Sequence, residues 1–295
     1  MIRLDAATVL LQWAVGGLLF CWVTTRRREV GVGYGWLLRA TYALLAAGAV
    51  VVGQALEPVA VRDVAAALTA AAASGALVVS VVRRRAGVAG ERARIDAREE
   101  RVAAMVGPPG GIERRTDVVD RPDPTVAEFP PVLDLIAPLI GVVGLIAAGV
   151  DAGGADSGDV ALAVARTLVG AAFLGSVTDA MLLGHWYLVQ PGLARGPLLE
   201  LVRWLGIVWP VEVAVLLVPT GMVSVLDGTI DDGYGGTFGW MWVACAITTI
   251  VLVGVTRAAL KERYYSAVMA ATGLLYLAIL TAFGTDLVAR AVLST

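Results

Sequence analysis

The sequence contains few of the residues that usually form catalytic and metal sites. Its 295 residues include one histidine, two cysteines and a single lysine, and only 16% of them are charged. One histidine excludes a haem held by two histidines of this chain, and two cysteines are too few for a disulfide framework. Phosphate-binding glycine loops with a lysine, paired-histidine zinc motifs and nucleophile elbows are also missing. We therefore expect no metal ion and no cofactor.

Apolar residues, by contrast, are abundant. They make up 58% of the chain, and the mean hydropathy is +0.78. These values exclude a disordered chain and an ordinary soluble domain. The net charge is only −2, so the charge does not favour nucleic acid as a partner. We predict an all-α, polytopic integral membrane protein whose main partner is the lipid bilayer.

Eight apolar runs are long enough to cross a membrane as helices, which takes about 20 residues each. They cover residues 6–24, 35–55, 64–82, 132–150, 162–187, 205–225, 238–256 and 266–285. Strands of a membrane barrel would be about 10 residues long and would alternate apolar with polar residues. The runs are longer and continuous, so we predict about eight transmembrane helices.

Basic residues are distributed unevenly over the segments that join these runs. If the N-terminus lies outside, the inner segments hold 19 of the 23 basic residues. The outer segments hold Arg3, Arg62 and Arg290, and their loops carry aspartates instead. Because basic residues collect on the cytoplasmic side, both termini are predicted to lie outside. The arginine-rich composition also suggests a bacterial protein, which places it as a multi-pass protein of the cytoplasmic (inner) membrane.

One long polar segment, residues 83–131, divides the runs into two groups. A three-span unit, 1–82, precedes it, and a five-span unit, 132–295, follows it. Within the segment, Gly90 to Val106 is predicted to form a charged helix. Residues 107–131 are rich in proline and charge, so we predict a disordered cytoplasmic linker there.

Ionisable residues inside the apolar runs are the best candidates for a functional site. A charge at the centre of a membrane helix costs about 2.5–3.5 kcal/mol, so such residues usually face a protein interior or a wet cavity. Measured from Trp186 and Trp204 as inner boundaries, Asp179 lies about 10 Å deep and Glu212 about 12 Å deep. The same inner half is predicted to contain Arg39, Asp134 and His185, which complete the predicted intramembrane polar site. Arg166 is placed at the outer headgroups.

Two prolines support a cavity beside Glu212. Pro210 and Pro219 flank it within the sixth run, and a proline removes one backbone hydrogen bond and kinks a helix. We therefore predict that Asp179 and Glu212 face each other across a polar pocket next to the kinked helix. The alternative is that the two carboxyl groups only pack together, by sharing a proton or pairing with Arg39. For His185, the alternative to a proton relay is an interfacial anchor.

Three functions stay open at this point. The first is a permease or channel-like protein, or a proton-linked membrane subunit, that uses the intramembrane carboxylates and predicts a wet cavity. The second is a non-catalytic scaffold or assembly subunit that docks a membrane protein or a second copy, and it predicts dry packing with an apolar groove. The third is a membrane-embedded enzyme with an acid–base site open to the lipid at His185. Eight spans with few buried charges favour the first two, so we expect a protein that is not an enzyme.

Overall fold

The computed structural model describes residues 4–106, 123, 125–190, 193–262 and 264–294, and all regular elements in those ranges are helical. They are α1 (Ala6–Thr25), α2 (Val32–Ala55), α3 (Ala60–Val82), a 3-10 turn (Arg84–Ala86), α4 (Ala89–Val106), α5 (Leu133–Gly153), α6 (Ser157–Val189), α7 (Gly196–Leu217), α8 (Met222–Leu226), α9 (Thr237–Lys261) and α10 (Tyr265–Leu293). Seven of them, α1, α2, α3, α5, α6, α9 and α10, are long and apolar enough to cross a membrane. The predicted class, an all-α chain with several membrane-length helices, is confirmed. The number of crossings and their orientation stay predictions.

The predicted sixth run differs most from its helix. Instead of residues 205–225, the structure has α7 followed by the short α8. Glu200, Arg203 and Glu212 all lie on α7, and this content separates it from the seven more apolar helices. It still extends along the full bundle, because Glu200 near its start binds Arg26 after α1 and Val218 at its end binds Arg166 of α6.

The two prolines of this region have different roles. Pro210 lies inside α7, as predicted. Pro219 does not kink the same helix, because α7 ends at Leu217. The residue before a proline is driven from helical to extended backbone, and Val218 has a ψ angle of 132°. Pro219 therefore ends α7, and the prediction that it kinks the helix around Glu212 is wrong.

Helix α6 is the centre of the bundle. It has 33 residues, which corresponds to about 50 Å, and it contacts α1, α5, α7 and α10. On one side, α1 packs against α2, α5 and α6, and α3 packs against α2 and α5. On the other side, α9 packs against α7 and α10. Because α5 contacts α1 and α3, the helix that follows the polar segment is packed directly against the helices that precede it.

Glycines bring α1 and α6 into direct backbone contact. A Cβ atom added to Gly16 would lie 1.8 Å from the carbonyl oxygen of Ala171, and one added to Gly175 would lie 2.1 Å from the carbonyl carbon of Gly16. Small residues allow helices to approach this closely in a membrane. The next residue, Gly17, lies against the ring of Tyr42, which a Cβ would meet at 2.0 Å. Gly16 therefore lets α6 pack closely against α1, and Gly17 makes room for the ring of Tyr42.

The loops of the bundle collect in two layers of opposite composition. We name the first the basic end; it holds the segments with Arg26–Arg28, Arg83–Arg85 and Arg195. Arg26 and Arg27 bind Glu200 there, and Arg195 donates to the carbonyl oxygen of Tyr264 at 3.0 Å. We name the other layer the acidic end; it holds the loops with Asp151, Asp156, Asp159, Asp227, Asp231 and Asp232.

The polar segment is partly as predicted. Its charged helix is present as α4, one residue longer at its start than predicted. Residues 107–122 of the predicted linker lie outside the described residues. The last part, residues 125–131, packs against the basic end. For that part, the predicted disorder is wrong.

Two side chains hold the last part of the linker in place. The carboxylate of Glu128 pairs with Arg28 at 3.0 Å and also with Arg92. The ring of Phe129 lies 4.2 Å from the guanidinium carbon of Arg39. The composition of the segment could not reveal these partners, because they come from α2, α4 and the loop after α1.

Candidate functional site

In the part of the chain that the structure describes, four arginine side chains are buried inside the bundle. Arg39, Arg62, Arg166 and Arg290 are each exposed by 2% or less. A buried charge is costly unless it is paired and hydrogen-bonded, so the partners of each guanidinium show how the interior is balanced. Three of the four bind carboxylates, and Arg166 has no carboxylate partner among the described residues.

Arg39 and Asp134 form a buried ion pair near the basic end. Nε of Arg39 lies 2.7 Å from Oδ1 of Asp134, and Nη2 lies 2.8 Å from Oδ2, so the contact is bidentate. The hydroxyl of Thr25 donates to Oδ2 at 2.8 Å, and Nη1 of Arg39 donates to Ser80 at 3.3 Å. The structure thus brings these two predicted site residues together, with α1, α2, α3 and α5 all contributing.

Asp179 is fully buried on α6 in the same half of the bundle. The hydroxyl of Tyr42 donates to Oδ1 of Asp179, while Oδ2 has no hydrogen-bond partner among the described residues. The thiol of Cys21 interacts electrostatically with Asp179, Arg39 and Asp134. Three of the predicted site residues therefore surround one buried region, although Asp179 does not pair with Arg39.

Glu212 belongs to a second cluster, near the acidic end. It interacts electrostatically with Asp286, Arg290 and Arg166. On α10, Nε of Arg290 lies 2.7 Å from Oδ2 of Asp286, and Nη2 lies 3.1 Å from Oδ1. Glu212 is fully buried, and neither of its carboxyl oxygens accepts a hydrogen bond from a donor among the described residues, although its carboxyl group is close enough to that of Asp286 to share a proton with it. A buried carboxyl group in this state requires an explanation.

Arg166 lies beside this cluster, at the end of α7, and its predicted level at the outer headgroups stays a prediction. Its Nε donates to the carbonyl oxygen of Val215 at 2.9 Å, and its Nη2 donates to those of Val218 at 2.9 Å and Thr220 at 3.1 Å. The last carbonyls of a helix have no partner within it, and Arg166 supplies one where α7 ends. Nη1 is left without a partner among the described residues. Arg166 therefore fixes the end of α7 and keeps one free donor.

A glycine makes room for the polar groups of the second cluster. A Cβ atom on Gly170 would lie 2.8 Å from Nε2 of Gln12, 3.0 Å from Oδ1 of Asp286 and 3.4 Å from Nη2 of Arg290. Gln12 donates to the carbonyl oxygen of Thr167 at 2.7 Å, and its own Oε1 has no partner among the described residues. Side chains of α1 and α10 therefore meet on the bare backbone of α6.

A small polar cavity connects this cluster with the acidic end. Its volume is about 20 Å³, which is enough for one water molecule. The lining includes Asp5, Thr8, Arg62, Asp151, Thr167 and Arg290. Arg62 binds Asp5 there and pairs with Asp63 at 2.9 Å. Arg290 faces both the cavity and Asp286, so it joins the two.

The structure does not bring Asp179 and Glu212 together. The second cluster meets α6 at Gly170, and Asp179 is nine residues farther along that helix (170 to 179). At 1.5 Å per residue, this separates the two levels by about 13 Å. The depth estimate failed because α7 begins at Gly196 and not at Trp204, which moves Glu212 toward the acidic end.

His185 is also separate from both clusters. It is exposed on the flank of α6, and its Nδ1 lies 3.0 Å from the hydroxyl oxygen of Tyr276 on α10. Tyr276 is itself 43% exposed, so this contact lies on the outside of the bundle.

The sequence analysis missed Gln12, Tyr42, Asp286 and the role of Arg290. One signal for the last two was present, because Asp286 and Arg290 are four residues apart on the continuation of the eighth apolar run. Residues with that spacing share a helix face. The predicted run ended at residue 285, so it left out both residues of the pair.

Neither metal ligation nor resemblance to other proteins adds to this description. Within the described ranges, no group of three or more His, Cys, Asp or Glu side chains could hold a metal ion. Comparison with protein-family models, curated proteins and solved structures gives no match to this chain.

Proposed function

We propose that this chain is a proton-linked membrane protein, either permease-like or a membrane subunit of a larger assembly, in which Glu212 binds and releases the proton. The main support is the environment of Glu212: it is fully buried, it accepts no hydrogen bond from a donor among the described residues, and it adjoins the carboxyl group of Asp286. Two adjoining buried carboxyl groups can share one proton, so a proton on Glu212 is held by a hydrogen bond to Asp286 that is lost when both groups ionise. Ionisable groups in such surroundings are frequent at functional sites of membrane proteins.

Protonation of Glu212 changes the charge balance with the neighbouring side chains. Arg290 is paired with Asp286, whereas Arg166 forms no ion pair among the described residues. With Glu212 ionised, the two arginines and two carboxylates balance. With Glu212 protonated, one positive charge is left over in a region of low dielectric. The proton on Glu212 therefore changes the net charge of the cluster.

Helix α7 is the element through which this change would act. Arg166 holds the carbonyl groups at the end of α7, and Glu212 lies one turn before the first of them, Val215. Pro210 weakens α7 just before Glu212, because it cannot donate to the carbonyl group of Gly206. A change in the electrostatic attraction between Glu212 and Arg166 would therefore displace the end of α7 relative to α6.

A pH titration of tryptophan fluorescence tests this proposal. Trp209 lies three residues before Glu212 on α7 and donates to the carbonyl oxygen of Ala246 on α9 at 3.0 Å, so it reports on movement of α7. In reconstituted protein, Glu212→Gln should remove a pH-dependent fluorescence transition while leaving the amount of folded protein unchanged. Asp179→Asn, in the other cluster, is the matched control and should retain the transition. A Glu212→Gln variant with the same transition as the wild type would refute the proposal.

A second candidate, a non-catalytic membrane subunit, is favoured by one observation. An apolar groove of about 90 Å³ lies between α1, α5 and α6 and is lined by Leu19, Leu139 and Leu168 among others. Cross-linking from a cysteine at position 139 would test it, with a covalent product to a membrane protein or a second copy as the expected result. The third candidate, an enzyme, has the least support, because His185 is exposed on the outside of the bundle and its hydrogen bond is to Tyr276.

A further inference from the structure

We infer that protons reach Glu212 from the acidic end only, through the water-sized cavity bounded by Arg290, Thr167 and the Asp5–Arg62 pair. This inference rests on the proposed function and specifies the side of access and the entrance. It follows from three features: an acidic mouth, a continuous line of polar groups inside, and an apolar barrier toward the basic end.

The mouth of the cavity is acidic. Asp5, Glu57 and Asp151 all contribute to its lining, and Glu57 and Asp151 are exposed. Carboxylates around an opening create a negative potential that raises the local concentration of cations, protons included. Arg62, which also lines the cavity, is engaged with Asp5, Asp63 and the carbonyl oxygen of Glu57.

Polar groups continue from the cavity to Glu212. Arg290 lines the cavity and binds Asp286, which in turn adjoins Glu212. Asp286 lies behind Arg290 and outside the lining, so a proton from hydronium in the cavity passes beside the Arg290 guanidinium to the Asp286 carboxylate: an O–H bond of hydronium breaks, an O–H bond to Asp286 forms, and neutral water remains. That O–H bond then breaks as an O–H bond to Glu212 forms, which restores the Asp286 carboxylate. Arg290 keeps its protons throughout and holds Asp286 in position.

The path toward the basic end is blocked by apolar packing. Between the level of Gly170 and that of Asp179, α6 buries Phe173, Leu174 and Val177 completely. The two hydroxyl groups in this stretch are bound to carbonyl groups of α6 itself, Ser176 to Phe173 and Thr178 to Leu174. The described side chains of α6 therefore offer no relay from Asp179 to Glu212.

Side-specific pH steps on protein oriented in liposomes test the route. The readout is the infrared band of the protonated Glu212 carboxyl group, identified by its loss in Glu212→Gln. Ala152→Leu fills the cavity, because Ala152 lines it. Ala147→Leu adds the same volume to α5 outside the lining and is the matched control. Thr8→Val, which removes a hydroxyl group from the lining without changing its shape, serves as the second variant if Ala152→Leu does not fold.

We expect the Glu212 band to follow a pH step at the acidic end and not one at the basic end. Ala152→Leu should slow the response about tenfold or more, which corresponds to about 1.4 kcal/mol in the barrier, and Ala147→Leu should not. A response to the basic-end step, or equal rates in wild type and both cavity variants, would overturn the route while leaving Glu212 as the proton site. A Glu212 band that responds to neither step would instead overturn the proposed function.

Discussion

Removing either partner of the buried Arg39–Asp134 pair should be among the most destabilising single changes in the chain. The two side chains make two hydrogen bonds of 2.7 and 2.8 Å, and both are almost completely buried. Arg39→Gln would leave the Asp134 carboxylate with Thr25 as its one remaining side-chain partner among the described residues. Asp134→Asn would leave the guanidinium of Arg39 with Ser80 and the ring of Phe129.

The expected magnitude follows from the geometry. Two unit charges about 4 Å apart attract each other by about 4 kcal/mol at an effective dielectric constant of 20. Removing one partner of a buried pair typically costs about 3–5 kcal/mol, because the other charge stays buried without compensation. Thr25→Ala removes one hydrogen bond to a charged group and should cost about 1.5–3 kcal/mol. The double variant Arg39→Met with Asp134→Leu leaves no charge behind, so it should cost less than either single change.

The free energy of unfolding in mixed detergent micelles, measured by denaturant titration, is the assay. Arg26→Gln is the matched control, since it also removes an arginine charge from an ion pair, but one with 37% of the Arg26 side chain exposed. It should change stability by about 1 kcal/mol or less. A double variant as destabilised as the sum of the two single variants would show that Arg39 and Asp134 act independently, and it would refute the reasoning.

Three further predictions follow from other contacts. Gly16→Ala should destabilise the protein by about 1–3 kcal/mol by overpacking the contact between α1 and α6, and a thermal melt should show Gly75→Ala, where a Cβ meets nothing within 4 Å, as neutral. Burial raises the pKa of Asp232, but hydrogen bonds from backbone N–H groups at the start of α9 outweigh burial and hold this pKa below its ordinary value. The stability that this cap provides is therefore lost as the pH falls through the lowered pKa. Asp232→Asn should accordingly flatten the acid limb of a plot of melting temperature against pH. Cysteine labelling in intact cells should modify Ser157→Cys and not Thr116→Cys, and the opposite pattern would reverse the predicted orientation.

Much of the fold could be predicted from the sequence, because long continuous apolar runs are typical of membrane-length helices. The first predicted run, 6–24, differs from α1 by one residue at its end, and the charged helix after the third run was found nearly to the residue. The sixth run failed because hydropathy could not show that one helix already begins at Gly196, among polar residues. It also could not show that Pro219 ends that helix rather than bending it.

The site was harder to predict. A sequence gives the position of a residue along its own helix, but it does not show which faces of different helices contact each other. Asp179, Glu212, Arg39 and Asp134 are all buried inside the bundle, while their depth in a membrane stays a prediction. Their partners depend on contacts between distant helices, such as Tyr42 on α2 with Asp179 on α6. The ring of Tyr42 reaches that position only because Gly17 of α1 leaves room for it.

The separation of the two carboxyl groups has a mechanistic consequence. Asp179 lies in an aromatic core with Tyr34 and Tyr42, while Glu212 lies in a charged cluster beside a polar cavity. Along α6, the described side chains do not form a fixed chain between them, because Phe173, Leu174 and Val177 intervene. If protons cross the whole protein, a rearrangement along α6 is therefore required during each cycle. Such a movement would have to change the contact between Gly16 and Gly175, since the two backbones touch there and no side chain can adjust in their place.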